Sequence, residues 1–232
     1  MKIHIINPNS TASMTEKIEA AALTVAAATT TIVATNPTTS PASIEGYADE
    51  AACVPPLLDE IRKGDAAGAD AFVIACFDDP GLGACREVTD RPVIGICEAS
   101  MIAASFLAAR FSVVTTLPRA IPIIEDLAEE YGMARRCRRV RAADIPVLAL
   151  EEPGSDAARR VHAEVLAAVA EDGAEAVILG CAGMADLTKA LSEETGIPVI
   201  DGVVAATKLA EAMAGLGLKT SKVGAYAYPR KK

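Results

Sequence analysis

The sequence has no tryptophan, and aromatic residues make up only 3% of it. Any core must therefore be built from aliphatic side chains. With 51% hydrophobic residues in a 232-residue chain there are enough of them. A core of Ala, Val, Ile and Leu suits a parallel sheet covered by helices. Cationic charge is also scarce, the formal net charge being -9. That balance argues against a nucleic-acid partner, because phosphate contacts need a basic face. The basic tail Pro229-Arg230-Lys231-Lys232 is short and reads as a solvated end. There are only two histidines, His4 and His162, neither with a ligand partner four residues on, so no metal site is expected. The six cysteines form no CxxC pair, as expected of a reduced, cytoplasmic chain rather than a disulfide scaffold. No stretch is long and apolar enough for a membrane span. The first apolar run, residues 3–6, is broken by Asn7-Pro8-Asn9-Ser10, too early for a targeting segment. No GxGxxG or GxxxxGK[ST] follows a strand-like run, so nucleotide binding has no support.

What is present is alternation. Strand-like runs fall at 2–7, 31–34, 71–76, 93–96, 111–115, 138–141, 176–181 and 199–200. Helical stretches fall between them at 13–28, 47–67, 101–109, 121–131, 155–172 and 203–214. This order predicts an α/β fold with parallel sheets and right-handed crossovers. The second half also repeats the first. "GADAFVIACFDDPG" at 68–81 matches "GAEAVILGCAGMAD" at 173–186, aligning Cys76 with Cys181 at an offset of 105. "RPVIGI" at 91–96 matches "IPVIDG" at 197–202, and "IHIINPNS" at 3–10 matches "FSVVTTLP" at 111–118. Three anchors in one order at nearly one offset indicate a duplicated unit. The expected architecture is two pseudosymmetric Rossmann-like lobes whose parallel sheets face each other across a cleft. The first lobe comprises 1–97 with 215–232, the second 98–214.

In such sheets, ligands bind beyond the carboxyl ends of the strands, where both aligned cysteines fall. Read alone, a cysteine closing an apolar strand is more often a structural residue. The duplication changes the weighting, because it puts Cys76 and Cys181 on opposite walls of one cleft. Opposed thiols can remove a proton from one face of a carbon and deliver one to the other, inverting a stereocentre without a cofactor. Asp79-Pro80 has the character of a helix start, and a helix N-terminus there would lower the Cys76 thiol pKa. Asn7, Asn9, Ser10, Thr115 and Thr116, with the N–H groups of Phe77 and Ala182, are candidate donors to a developing enolate. Cys53, Cys85, Cys97 and Cys137 have no repeat partner and read as structural.

These motifs, with "SPASIEG" at 40–46 and "RFSVVTT" at 110–116, resemble those of the aspartate/glutamate/hydantoin racemase superfamily, most closely its hydantoin and allantoin racemase branch. The resemblance implies a cofactor-independent isomerase, usually a homo-oligomer, acting on a 5-substituted hydantoin or allantoin. It implies Cys76 and Cys181 as acid/base thiols and Asn7, Thr115 and Thr116 as polar ring contacts. It further implies Phe77 and Ile44 as pocket walls, with Ala182 beside the second thiol. An amino-acid racemase or decarboxylase of the same superfamily, and a two-lobed binding protein without turnover, are the competing readings. An acidic amino acid would call for a cationic clamp, for which Arg110 and Arg119 are the candidates.

Overall fold

The computed structural model describes residues 1–152 and 154–230, with the side chains of residues 185 and 186 left aside. The first half runs β1 (Lys2–Ile6), α1 (Ala12–Leu23), β2 (Thr31–Thr35), α2 (Tyr47–Ala66), β3 (Ala71–Ile74), α3 (Leu82–Val88), β4 (Val93–Gly95) and α4 (Ile96–Leu107). The second runs β5 (Phe111–Thr115), α5 (Ile121–Glu130), β6 (Cys137–Ala142), α6 (Ala157–Asp172), β7 (Ala176–Gly180), α7 (Thr188–Thr195), β8 (Val199–Asp201) and α8 (Gly202–Gly215). All eight expected strands form. The central strands β3 and β7 are buried along their whole length, as continuous apolar runs in parallel sheets should be.

The two sheets have one topology, β2-β1-β3-β4 and β6-β5-β7-β8, and every pairing within them is parallel. Their registers reproduce the sequence repeat. Ile3 pairs with Ala71 as Phe111 pairs with Ala176, and Phe72 pairs with Val93 as Val177 pairs with Val199. The last helix of each half crosses over. α4 leaves β4 and packs on β7 and β8, while α8 leaves β8 and packs on β1, β3 and β4. α4 and α8 also pack on each other, and this reciprocity is the mark of an internal twofold. Their contact is close: a Cβ on Gly202 would lie 2.8 Å from Ser100 Oγ and 2.9 Å from the Ile96 carbonyl oxygen. We propose that the chain divides near these two crossing helices, which are shared between the lobes. The C-terminal segment returns to the first lobe, with the Thr220 N–H on the Asp90 carbonyl and Lys222 on the carbonyls of Arg86 and Glu87.

One continuous apolar core joins the halves, running from Ile3 and Ile5 through Ile96, Met101 and Ala104 to Phe111, Ile178 and Ala206. Each sheet has a second core on its outer face, centred on Phe72 and Ile74 in one lobe and on Val161, Val165 and Leu179 in the other. Two helices differ from the sequence reading. α3 does not start at Asp79-Pro80 but at Leu82, because Asp79 and Gly81 both take left-handed backbone angles, φ 43° and 64°. α4 starts at Ile96 rather than near 101, because β4 runs straight into it within a single apolar stretch.

Candidate active site

β3 and β7 end at equivalent places, and the chain leaves each through a short turn that carries a cysteine. Cys76 and Cys181 line the same cleft between the lobes. So do Ile44, Phe77, Thr115, Thr116 and Ala182, so seven of the eight expected residues come together. Asn7 does not. Its side-chain amide donates to Asn9 Oδ1 at 2.9 Å and Thr15 Oγ1 at 3.1 Å, and its own oxygen accepts the Asn9 N–H. Asn7 instead shapes the turn after β1 that carries Asn9 to the cleft wall. Thr115 is also partly committed, donating its hydroxyl to the Gly180 carbonyl at 3.1 Å. Of the two threonines, only Thr116 makes no side-chain hydrogen bond among the described residues.

The two thiols are held alike. The backbone N–H two positions on, that of Asp78 for Cys76 and of Gly183 for Cys181, favours each thiolate. Each is nonetheless pushed up from the ordinary thiol value. Burial is the largest cause at both, followed at Cys76 by the Asp78 carboxylate. Cys181 rises to about 11, and Cys76 also rises well above the usual value. The expected lowering by a helix N-terminus is absent, because α3 begins six residues beyond Cys76. Both groups are therefore favoured as thiols.

Asp79 has a different role from the expected local cap. It caps α4, accepting the N–H groups of Cys97 at 3.2 Å and Glu98 at 3.0 Å, and it accepts the Tyr131 hydroxyl at 2.9 Å. Burial raises it to about 7, against the pull of those donors. A Cβ on Gly95 would lie 2.3 Å from the Asp79 carboxyl group, so the site needs glycine there. In the second lobe the equivalent of Gly95 is Asp201, which caps α8 itself through the Val204 N–H at 2.7 Å. One helix start is capped from within and the other from the active-site turn.

Sequence reasoning missed the cleft-lining residues Met14, Glu45 and Val147. Glu45 lay inside the quoted "SPASIEG" stretch, whereas Val147 stands in a loop with no motif. These two loops, after β2 and after β6, meet over the cleft. The Val147 N–H donates to Glu45 Oε1 at 3.0 Å, and Lys17 reaches across to the Leu150 carbonyl at 3.0 Å and Glu151 at 2.8 Å. No Lys or Arg is among the residues lining the cleft. Arg110 is turned to the Arg135 carbonyl, and Arg119 lies exposed beside Gly46. Neither candidate for a cationic clamp reaches the thiols. Among the described residues, no group of three His, Cys, Asp or Glu side chains could hold a metal ion.

A duplicated α/β protein with one thiol on each wall of a closed, cation-free cleft belongs to the class of two-lobed proteins that work on a small organic molecule at strand ends. The family described as Asp/Glu/Hydantoin racemase matches residues 3–210, and the chain belongs to that family. It is 61% identical to a hydantoin racemase of Rhizobium meliloti over 230 residues, 99% of this chain and 95% of that protein. Among solved structures it is similar to an allantoin racemase from Klebsiella pneumoniae, 48% identical, with a TM-score of 0.98 over 100% of this chain and 95% of that one. An allantoin racemase from Pseudomonas fluorescens is 40% identical, with a TM-score of 0.96 over 100% and 98% of the two chains.

Proposed function

We propose that this protein is a cofactor-independent racemase that inverts C5 of 5-monosubstituted hydantoins, allantoin among them. The observation that carries the reading is the pair of equivalent cysteines on the two walls of a cleft lined by no cationic side chain. The similarity to hydantoin and allantoin racemases along the whole chain supports it. In a hydantoin, C5–H lies beside the C4 carbonyl, so its anion is an enolate and a thiolate can form it. One thiol, ionised, takes the proton from one face, and the other gives a proton to the opposite face. Each thiol serves as base for one enantiomer and as acid for the other. The N–H groups of Phe77 and Ala182, which follow the two sulfurs at equivalent positions, and the Thr116 hydroxyl hold the ring carbonyls and the enolate oxygen. Ile44 and Phe77 wall the substituent.

A free amino-acid dicarboxylate is disfavoured, because the cleft is lined by the carboxyl groups of Glu45 and Asp78 and by no cationic clamp. Like charges about 4 Å apart repel by about 1–4 kcal/mol in partly wet surroundings. One enantiomer of a neutral 5-alkylhydantoin should lose its optical rotation in a polarimeter. The analogue bearing a 5-carboxymethyl group should react about tenfold more slowly or worse. Equal or faster turnover of the anionic analogue, or of aspartate, would favour the amino-acid racemase reading. No helix is long and apolar enough to cross a membrane among the described residues. Self-association is part of the proposal and is read directly by light scattering.

A further inference from the structure

The turns that follow β3 and β7 share one hydrogen bond. The N–H three residues beyond each cysteine donates to the cysteine carbonyl at 3.1 Å, from Asp79 to Cys76 and from Met184 to Cys181. Asp79 and Met184 are equivalents in the repeat, 105 positions apart like the cysteines. Their side chains anchor the two turns by different means. Met184 is fully buried in the outer apolar core of the second half. Asp79 is buried too, but its carboxyl group holds three donors from outside its turn. Oδ1 accepts the Cys97 N–H at 3.2 Å, and Oδ2 accepts the Glu98 N–H at 3.0 Å and the Tyr131 hydroxyl at 2.9 Å. Tyr131 ends α5, in the second half, and packs on the core that joins the halves. A side chain of the second half thus reaches, in one step, the turn that carries the thiol of the first. The left-handed backbone of Asp79, φ 43°, is uncommon outside glycine and persists where the surroundings fix it.

We propose that Asp79 is a positioning residue for Cys76, and that the Tyr131 hydroxyl is the tie through which the second half sets that thiol's place. The proposal rests on the racemase reading above. Asp79 is not among the residues lining the cleft, so it acts through the cysteine and not on the substrate. In a two-base inversion, one thiol takes the proton from one face while the other must already stand at the opposite face. A displacement of about 1 Å at either sulfur slows transfer strongly. The Cys181 turn is anchored by apolar packing within its own half. The Cys76 turn is anchored on the start of α4 and the end of α5, so its distance from Cys181 follows the seating of one half on the other. Removing the Tyr131 hydroxyl leaves Asp79 as the cap of α4 and cuts only the tie to α5. Asp79→Asn keeps the backbone, since asparagine tolerates left-handed angles. One of the Cys97 and Glu98 N–H groups then meets an amide NH2 instead of an acceptor.

The test separates positioning from plain support of the fold. Tyr131→Phe and Asp79→Asn are compared with the unaltered protein in two ways. Racemisation of one enantiomer of a 5-alkylhydantoin gives kcat and KM. Alkylation by iodoacetamide, resolved by peptide mass, gives separate rates for Cys76 and Cys181. In each variant kcat should fall about tenfold while KM stays within about twofold. Alkylation of Cys76 should change by about threefold or more while that of Cys181 holds. A merely structural role lowers the melting temperature and moves neither kcat nor the ratio of the two alkylation rates. An unchanged kcat or an unchanged ratio in Tyr131→Phe overturns the proposal, and Asp79→Asn decides if that variant does not fold. Absence of racemisation in the unaltered protein would instead overturn the functional reading, and the alkylation ratio would still test the tie.

Discussion

The chemistry turns on residues whose ordinary properties are altered by where they sit. A thiol raised by burial is a stronger base once ionised, but a smaller fraction of it is ionised at neutral pH. Cys76→Ser and Cys181→Ser should each lower racemisation by about 10²-fold or more, while Cys53→Ser leaves it within about twofold. Equal losses in all three would dissolve the site assignment. The pH profile has a definite sign. The Cys181 thiol, raised to about 11 by burial, becomes a base as it loses its proton. kcat/KM should therefore climb steadily from pH 6 to 8 with no plateau, whereas a thiol lowered into the neutral range would give a level profile. The residue scale is also where the sequence was least informative. An amide at a strand end looks the same whether it faces a ligand or its own turn, and Asn7 faces its turn. Asp79 lies beside a catalytic candidate, yet its partners, Cys97, Glu98 and Tyr131, are 18 to 52 residues away and leave no local trace.

Among the elements, strands and long helices were legible because their apolar periods are long. The central strands β3 and β7 are unbroken apolar runs, and α2 keeps its period through Pro55 and Pro56. The eight-residue α7 and seven-residue α3 are too short to declare a face and were foreseen only as structure following each cysteine. One element junction has a stability of its own to test. Arg141 on β6 is buried and forks onto Asp172 at the end of α6, with both contacts at 2.7 Å, while Ser112 on β5 donates to the same carboxylate at 2.9 Å. Arg141→Met removes that carboxylate's main counter-charge and should cost about 3 kcal/mol in a denaturant melt. The Asp172 carboxyl group is held below the usual range, chiefly by the hydrogen bond from Arg141. Its contribution is complete above the unfolded value near pH 4 and is lost as the pH falls through the lower folded value. The destabilisation should accordingly shrink in acid, and a constant difference down to pH 2 would contradict this account.

At the scale of the whole molecule, the internal repeat carried the most information. The repeat put the two cysteines 105 positions apart at equivalent strand ends, where they line one cleft, and the registers of the two sheets follow the same repeat. The packing of α4 against α8, and the loops that close over the cleft from either side, were not legible. They depend on contacts between halves that have no counterpart within one copy of the repeat. The duplication also gives one fold two equivalent walls, while Asp78 and the Asp79 cap make them unequal. The central claim is that two opposed thiols, not one mobile base, invert the stereocentre. A single enantiomer of a 5-substituted hydantoin placed in D₂O tests it during the first few per cent of reaction. Two opposed thiols predict deuterium at C5 in the enantiomer formed and hydrogen retained in the enantiomer left. Deuterium entering both at equal rates, or entering neither, would contradict it.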